Sequence, residues 1–142
     1  MRAWAAAAVL GALGHAGLAA AVAPRLDPLW LSDRTERALE AARLLPRQGV
    51  AEAPVAVAGF AEPSLVFALG TPTELEDAEE AAIAIAEGRP AVVEARQEAA
   101  FRQALAARGV QARLVREIAG LDYSNGDEMT LRVYQSARGV TR

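Results

Sequence analysis

The sequence predicts an α/β protein: an N-terminal transmembrane helix followed by a small three-layer mixed-sheet domain with a C-terminal β-hairpin. Three observations carry this. Ala3 to Pro24 is an Ala-, Leu- and Val-rich run with no acidic residue, lysine or arginine. Two short apolar runs, Pro54 to Phe60 and Ala91 to Val93, have the composition of buried strands and are separated by segments of helical spacing. Two alternating segments flank Ser124-Asn125-Gly126-Asp127, where Asn-Gly is the preferred centre of a type I′ hairpin turn.

As a helix the first run is about 30 Å long, enough to cross a bilayer. It admits three readings: an uncleaved anchor, a signal peptide cut after Ala21-Val22-Ala23, or a buried soluble helix. Pro24 stands directly after the cleavage motif and is poorly accepted there, which favours the anchor. Arg2 ahead of the run places the N-terminus on the cytoplasmic side by the positive-inside tendency, against which Arg25 acts. Gly11, Gly14 and Gly17 form a small-residue face, and His15 is expected to be neutral, bonded to a neighbouring carbonyl.

Pro24 to Leu31, with Trp30 suited to the headgroup level, reads as an interfacial connection. A helix follows, capped by Ser32 or Asp33, with Ala38, Ala41, Ala42 and Leu45 as its apolar stripe and Pro46 with Gly49 ending it. Val55 and Val57 belong to the first core strand. Glu62-Pro63-Ser64 opens a short helix through Leu65, Val66 and Phe67, because proline at the first helical position loses no hydrogen bond, and Gly70 stops it.

An edge strand is expected near Thr71. The acidic group Glu74, Glu76, Asp77, Glu79 and Glu80 then precedes Ala78, Ala81, Ala82 and Ile85, and is read as the negative first turn of a helix ended by Gly88 and Pro90. Ala91-Val92-Val93 is the second core strand. Phe101, Ala104 and Leu105 are the inner face of a helix closed at Gly109. Val110 to Ile118 and Met129 to Val133 alternate as strands and should pair antiparallel. The organisation is therefore a span at 1–24, an interfacial connection and helix at 25–53, and an extracytoplasmic α/β domain at 54–142.

The 142 residues contain 15 arginines, no lysine, 18 acidic residues, one histidine and no cysteine. Disulfides, thiolate nucleophiles and cysteine-ligated metals are excluded, a lysine-dependent phosphate loop lacks its lysine, and a Ser-His-Asp triad would need a histidine free to meet a buried carboxylate, where the one histidine, His15, lies in the apolar run. The net charge of -3 argues against a nucleic-acid surface. No cofactor is expected.

Two patches carry more than pattern: Val55 through Glu62-Pro63-Ser64-Leu65-Val66-Phe67 to Thr71, and Gly120-Leu121-Asp122-Tyr123-Ser124-Asn125-Gly126. Together with Leu29-Trp30-Leu31-Ser32 they resemble the C-terminal extramembrane domain, with its last transmembrane helix, of bacterial glycosyltransferases of the aminoarabinose-transferase and protein-mannosyltransferase superfamily. Asp122 stands where that pattern has asparagine. The resemblance implies membrane lipid, a multi-spanning glycosyltransferase and a polyprenyl-phosphate-linked sugar as partners. It also implies a single-pass location in the inner membrane with the C-terminal domain in the periplasm. The family's catalytic carboxylate lies in an early loop with no counterpart here, so the domain is expected to be non-catalytic alone. The alternative is a cleaved periplasmic domain that binds a small ligand or glycan.

Glu62, Ser64, Asp122, Tyr123 and Ser124 are the candidate binding residues. Glu62 sits at a strand exit, where open α/β sheets bind ligands, and equally serves as a helix opening. Tyr123 and Ser124 are either an acceptor-binding rim or ordinary hairpin residues. Arg89 and Arg96 flank the second core strand as phosphate ligands or solvated charge. Acid–base chemistry by Glu62 and Asp122 requires that the two carboxyls approach, and a separation beyond about 10 Å would exclude it.

Overall fold

The computed structural model describes residues 2–46, 54–70 and 72–137. Helix α1 (Arg2–Val22) runs into a 3-10 turn, Ala23–Leu29, and the stretch Trp4–Leu29 is long and apolar enough to cross a membrane or to act as a signal sequence. Its side chains from Trp4 onward lie exposed rather than against the rest of the chain. His15 Nδ1 donates to the Gly11 carbonyl at 3.1 Å, which satisfies the ring within its own helix.

The remaining elements, in chain order, are α2 (Leu31–Ala41), β1 (Ala56–Ala58), α3 (Pro63–Leu69), β2 (Glu74–Glu76), α4 (Ala78–Ala86), β3 (Ala91–Glu94), α5 (Glu98–Ala107), β4 (Ala112–Leu121) and β5 (Glu128–Ser136). The five strands form one sheet in the order β2-β1-β3-β5-β4. β2, β1 and β3 are parallel, while β5 runs antiparallel to both β3 and β4. The expected strand near Thr71 lies at Glu74–Glu76; Thr71 itself is outside the described residues, as is Gly49.

Alternation along the central strands divides the core. Val57, Val92, Leu131 and Val133 face one way and meet Leu31 and Leu39 of α2 and Leu65 and Leu69 of α3. Ala56, Ala58, Ala91, Val93 and Tyr134 face the other way and meet Ala81 and Ile85 of α4 and Phe101 and Leu105 of α5. Both faces are covered, which is why β1 and β3 read as unbroken apolar runs. The fold is thus the three-layer mixed sandwich with an N-terminal apolar helix that the sequence predicts. Helix α2, from the segment set apart as 25–53, supplies part of this core.

Four local expectations are corrected. Trp30 rather than Ser32 or Asp33 occupies the N-cap of α2, without a side-chain cap, and Ser32 lies inside the helix. The inner stripe of α2 is Leu31, Thr35 and Leu39; of the expected stripe, Ala38 packs against the same core and Leu45 is buried in it beyond the helix end, but Ala41 is exposed. The helix ends earlier than Pro46, at Arg43 with φ 58°, where Arg43 N–H donates to Glu40 O and Leu44 N–H to Leu39 O in a Schellman closure. Finally, the β4–β5 connection is not a type I′ turn, since Gly126 has positive φ and Asn125 does not. Asp122 Oδ1 accepts from both the N–H (2.9 Å) and the hydroxyl (2.6 Å) of Ser124, and this local side-chain bonding draws the backbone into a longer loop.

The acidic group also divides. Asp77 caps α4 in a reciprocal capping box with Glu80, and Glu79 joins the first turn, but Glu74 and Glu76 belong to edge strand β2 and bind Arg89.

Candidate functional site

β1 delivers its chain to one face of the sheet through α3, and β3 delivers its chain to the other through α5, so a crevice opens where the two strands part. Gly59 ends β1 at φ +83°, and a Cβ there would stand 2.8 Å from Gln97 Cγ and 2.9 Å from Glu94 Cβ. Only glycine lets the exits of β1 and β3 approach this closely. The next turn presents Glu62 as N-cap of α3, 7 % exposed, with Pro63 and Ser64 in the first helical turn.

Ser64 Oγ donates to Glu62 Oε2 at 3.2 Å and lies 2.8 Å from Ser32 Oγ on α2. Glu62 Oε1 has no hydrogen-bond partner among the described residues. Its polar neighbours are Asp122 and Tyr123 on the β4–β5 loop, a sequence separation of about sixty residues bridged by the fold. Burial pushes the Glu62 carboxyl above its ordinary range, and the adjoining Asp122 carboxylate raises it further. Asp122 is held below its ordinary range, first by the Ser124 hydroxyl and N–H.

Four of the five expected residues therefore converge: Glu62, Ser64, Asp122 and Tyr123. Ser124 is exposed and serves Asp122 from the outer side of the loop. Glu62 and Asp122, whose approach any acid–base role requires, are neighbours in the fold.

Beside this cluster lies a cleft of about 480 Å³ whose apolar wall is Leu26, Leu29 and Trp30 from the exit of the membrane-length helix. Its polar wall is Ser32, Asp33, Ser64 and Tyr123. Ser32 and the three apolar residues were not singled out as site residues from sequence. The cue was present in Leu29-Trp30-Leu31-Ser32, but a serine near a helix start reads first as a cap. A second cavity of about 670 Å³ lies across Pro28, among Glu94, Arg96, Gly120, Glu128 and Thr130.

The arginines considered as phosphate ligands are committed elsewhere. Arg89 is 11 % exposed and bridges Glu74 (2.5 Å), Glu87 (3.0 Å) and Glu76 (3.5 Å), while Arg96 pairs with Glu94 at 3.8 Å. Among the described residues no three histidine, aspartate or glutamate side chains gather as a metal site.

No family model matches the chain, and no curated protein or solved structure is significantly similar to it.

Proposed function

We propose that this chain is a membrane-anchored periplasmic domain that belongs to or assists a polyprenyl-phosphate-sugar glycosyltransferase, non-catalytic alone, with an accessory or acceptor-binding role. The observation that carries the reading is the meeting of Glu62 and Ser64 with Asp122 and Tyr123 beside the exit of an apolar, membrane-length helix. These residues come from the two patches that resemble the C-terminal domain of such enzymes. The mixed cleft beside them opens at the level where a membrane-borne substrate would arrive. In this reading α1 spans the inner membrane once, and the sheet domain stands on the periplasmic side.

The test is fractionation of a C-terminally tagged chain from its native host, with protease protection and partner capture. The expected result is an intact membrane-bound chain, its tag outside, that recovers a multi-spanning protein. A soluble product with no such partner overturns the reading. It would favour instead a secreted glycan-binding domain cut before Pro24, a site that lies on the exposed side of the packed Pro28 turn.

A further inference from the structure

We propose that the cleft between the exit turn and α3 takes the uncharged, hydroxyl-rich sugar head of an amphipathic glycoside, its alkyl chain running along Leu26, Leu29 and Trp30. This rests on the membrane-anchored reading above and names the ligand chemistry of that site.

The polar wall carries three hydroxyls, from Ser32, Ser64 and Tyr123, whose oxygens can accept from the hydroxyl groups of a sugar. Their order is set from behind. Ser64 spends its proton on Glu62 Oε2, so at the 2.8 Å contact Ser32 donates to Ser64 and keeps lone pairs for a hydroxyl in the cleft. Asp33 adds a further acceptor. A volume of about 480 Å³ suits one small ring with part of a chain.

The same wall offers phosphate no free cation. Among the described residues no arginine lines the cleft, and the cations nearest in sequence are engaged elsewhere. Arg25 donates to the Ala21 carbonyl at 2.8 Å; Arg34 donates to Ala119 O at 2.7 Å and pairs with Asp27 at 3.6 Å. The carboxylate of Asp33 in the wall pairs with Arg37 at 2.7 Å, which leaves that arginine engaged rather than free to hold a phosphate.

The test uses the full chain in phosphatidylcholine nanodiscs with Trp4→Phe, so that Trp30 is the only indole. Hexyl β-glucoside, hexyl phosphate and glucose are titrated separately against Trp30 emission. The expected result is saturable binding of hexyl glucoside at least tenfold tighter than of either other probe. Ser64→Val should abolish the preference over hexyl phosphate. Tyr123→Phe, at an exposed position that bears little on folding, should reduce it severalfold. Equal binding of hexyl glucoside and hexyl phosphate overturns the proposal, and equal binding of glucose and hexyl glucoside overturns the amphipathic part of it. A chain that recovers a transferase but shows no glucoside preference overturns the cleft assignment while leaving the anchored-domain reading intact; the reverse pattern does the opposite.

Discussion

Gly120 of β4 packs so closely against the Pro28 carbonyl of the exit turn that a Cβ there would stand 2.7 Å from that oxygen and 3.0 Å from Leu31 Cδ1. The contact ties the end of the apolar span to the sheet and sets the height of the cleft above it. Gly120→Ala should therefore act by overpacking, at a cost of about 1–3 kcal/mol. Urea unfolding of the variant measures the loss, and Trp30 emission should shift with it, because Trp30 follows the displaced turn.

The Glu62–Asp122 contact predicts a specific pH profile. Glu62 titrates above its ordinary value near 4.5, so the stability it contributes is complete below that value and is lost as the pH rises through its folded value. Asp122 is shifted down from 3.8, so its contribution is present above 3.8 and is lost as the pH falls further. Glu62→Gln keeps a neutral donor in place at every pH. The variant should be more stable than the parent at pH 8, with the advantage vanishing toward pH 4, in urea melts across that range. An unchanged profile would mean that Glu62 carries its charge without penalty.

Core strands and helices were legible in the sequence because the apolar periodicity that specifies them is local. Val57, Val92, Leu131 and Val133 could be assigned to strands without knowledge of their partners. The face of α2 was legible only in part: Ala38 and Leu45 reach the core as read, but alanines on several sides of a helix weigh little against Leu31 and Leu39, whose partners lie on other elements. Glu74 and Glu76 resembled a helix start because the group that claims them, Arg89, comes after the helix. At the site, Glu62, Ser64, Asp122 and Tyr123 were legible as two separate patches, but their meeting depends on β4 and β5 reaching over α3. Ser32 became a site residue only when α2 was placed against α3, with the two serine hydroxyls in contact.

Tyr134 is buried at the centre of the sheet. Its hydroxyl donates to Glu98 at 2.7 Å, while its ring meets Phe101 with centroids 5.0 Å apart. Burial first, and then the Glu98 carboxylate, push the phenol up to about 12. Tyr134→Phe retains the ring contact and removes a hydrogen bond to a carboxylate, so it should cost about 1.5 kcal/mol at neutral pH. The penalty fades in alkali. The contribution of the phenol is complete below about 10 and is lost as the pH rises through about 12, so the penalty of the variant should shrink over that interval. Chemical denaturation at pH 7 and pH 11.5 checks both halves.

Arg89 gathers the strongest charge cluster of the sheet domain onto its edge, holding Glu74 and Glu76 of β2 beside Glu87, with Nη1 also donating to Pro54 O at 3.4 Å. Charged side chains on a three-residue edge strand oppose edge-to-edge pairing with a second molecule, and Arg89 makes them tolerable next to the core. Burial first, and then Glu74, lift the Glu76 carboxyl to about 7. Its contribution to stability is therefore complete below 4.5 and is lost as the pH rises through about 7. Arg89→Met removes the cation and leaves the half-buried Glu76 uncompensated. The expected cost is about 2–3 kcal/mol at pH 8, the lower end for a broken buried ion pair because the cluster is partly solvated. At pH 5 Glu76 is protonated, and the cost should fall well below that. Glu76→Gln should instead flatten the stability profile between pH 5 and pH 8. Equal losses for Arg89→Met at the two pH values would show that the arginine acts through packing of its stem rather than through Glu76.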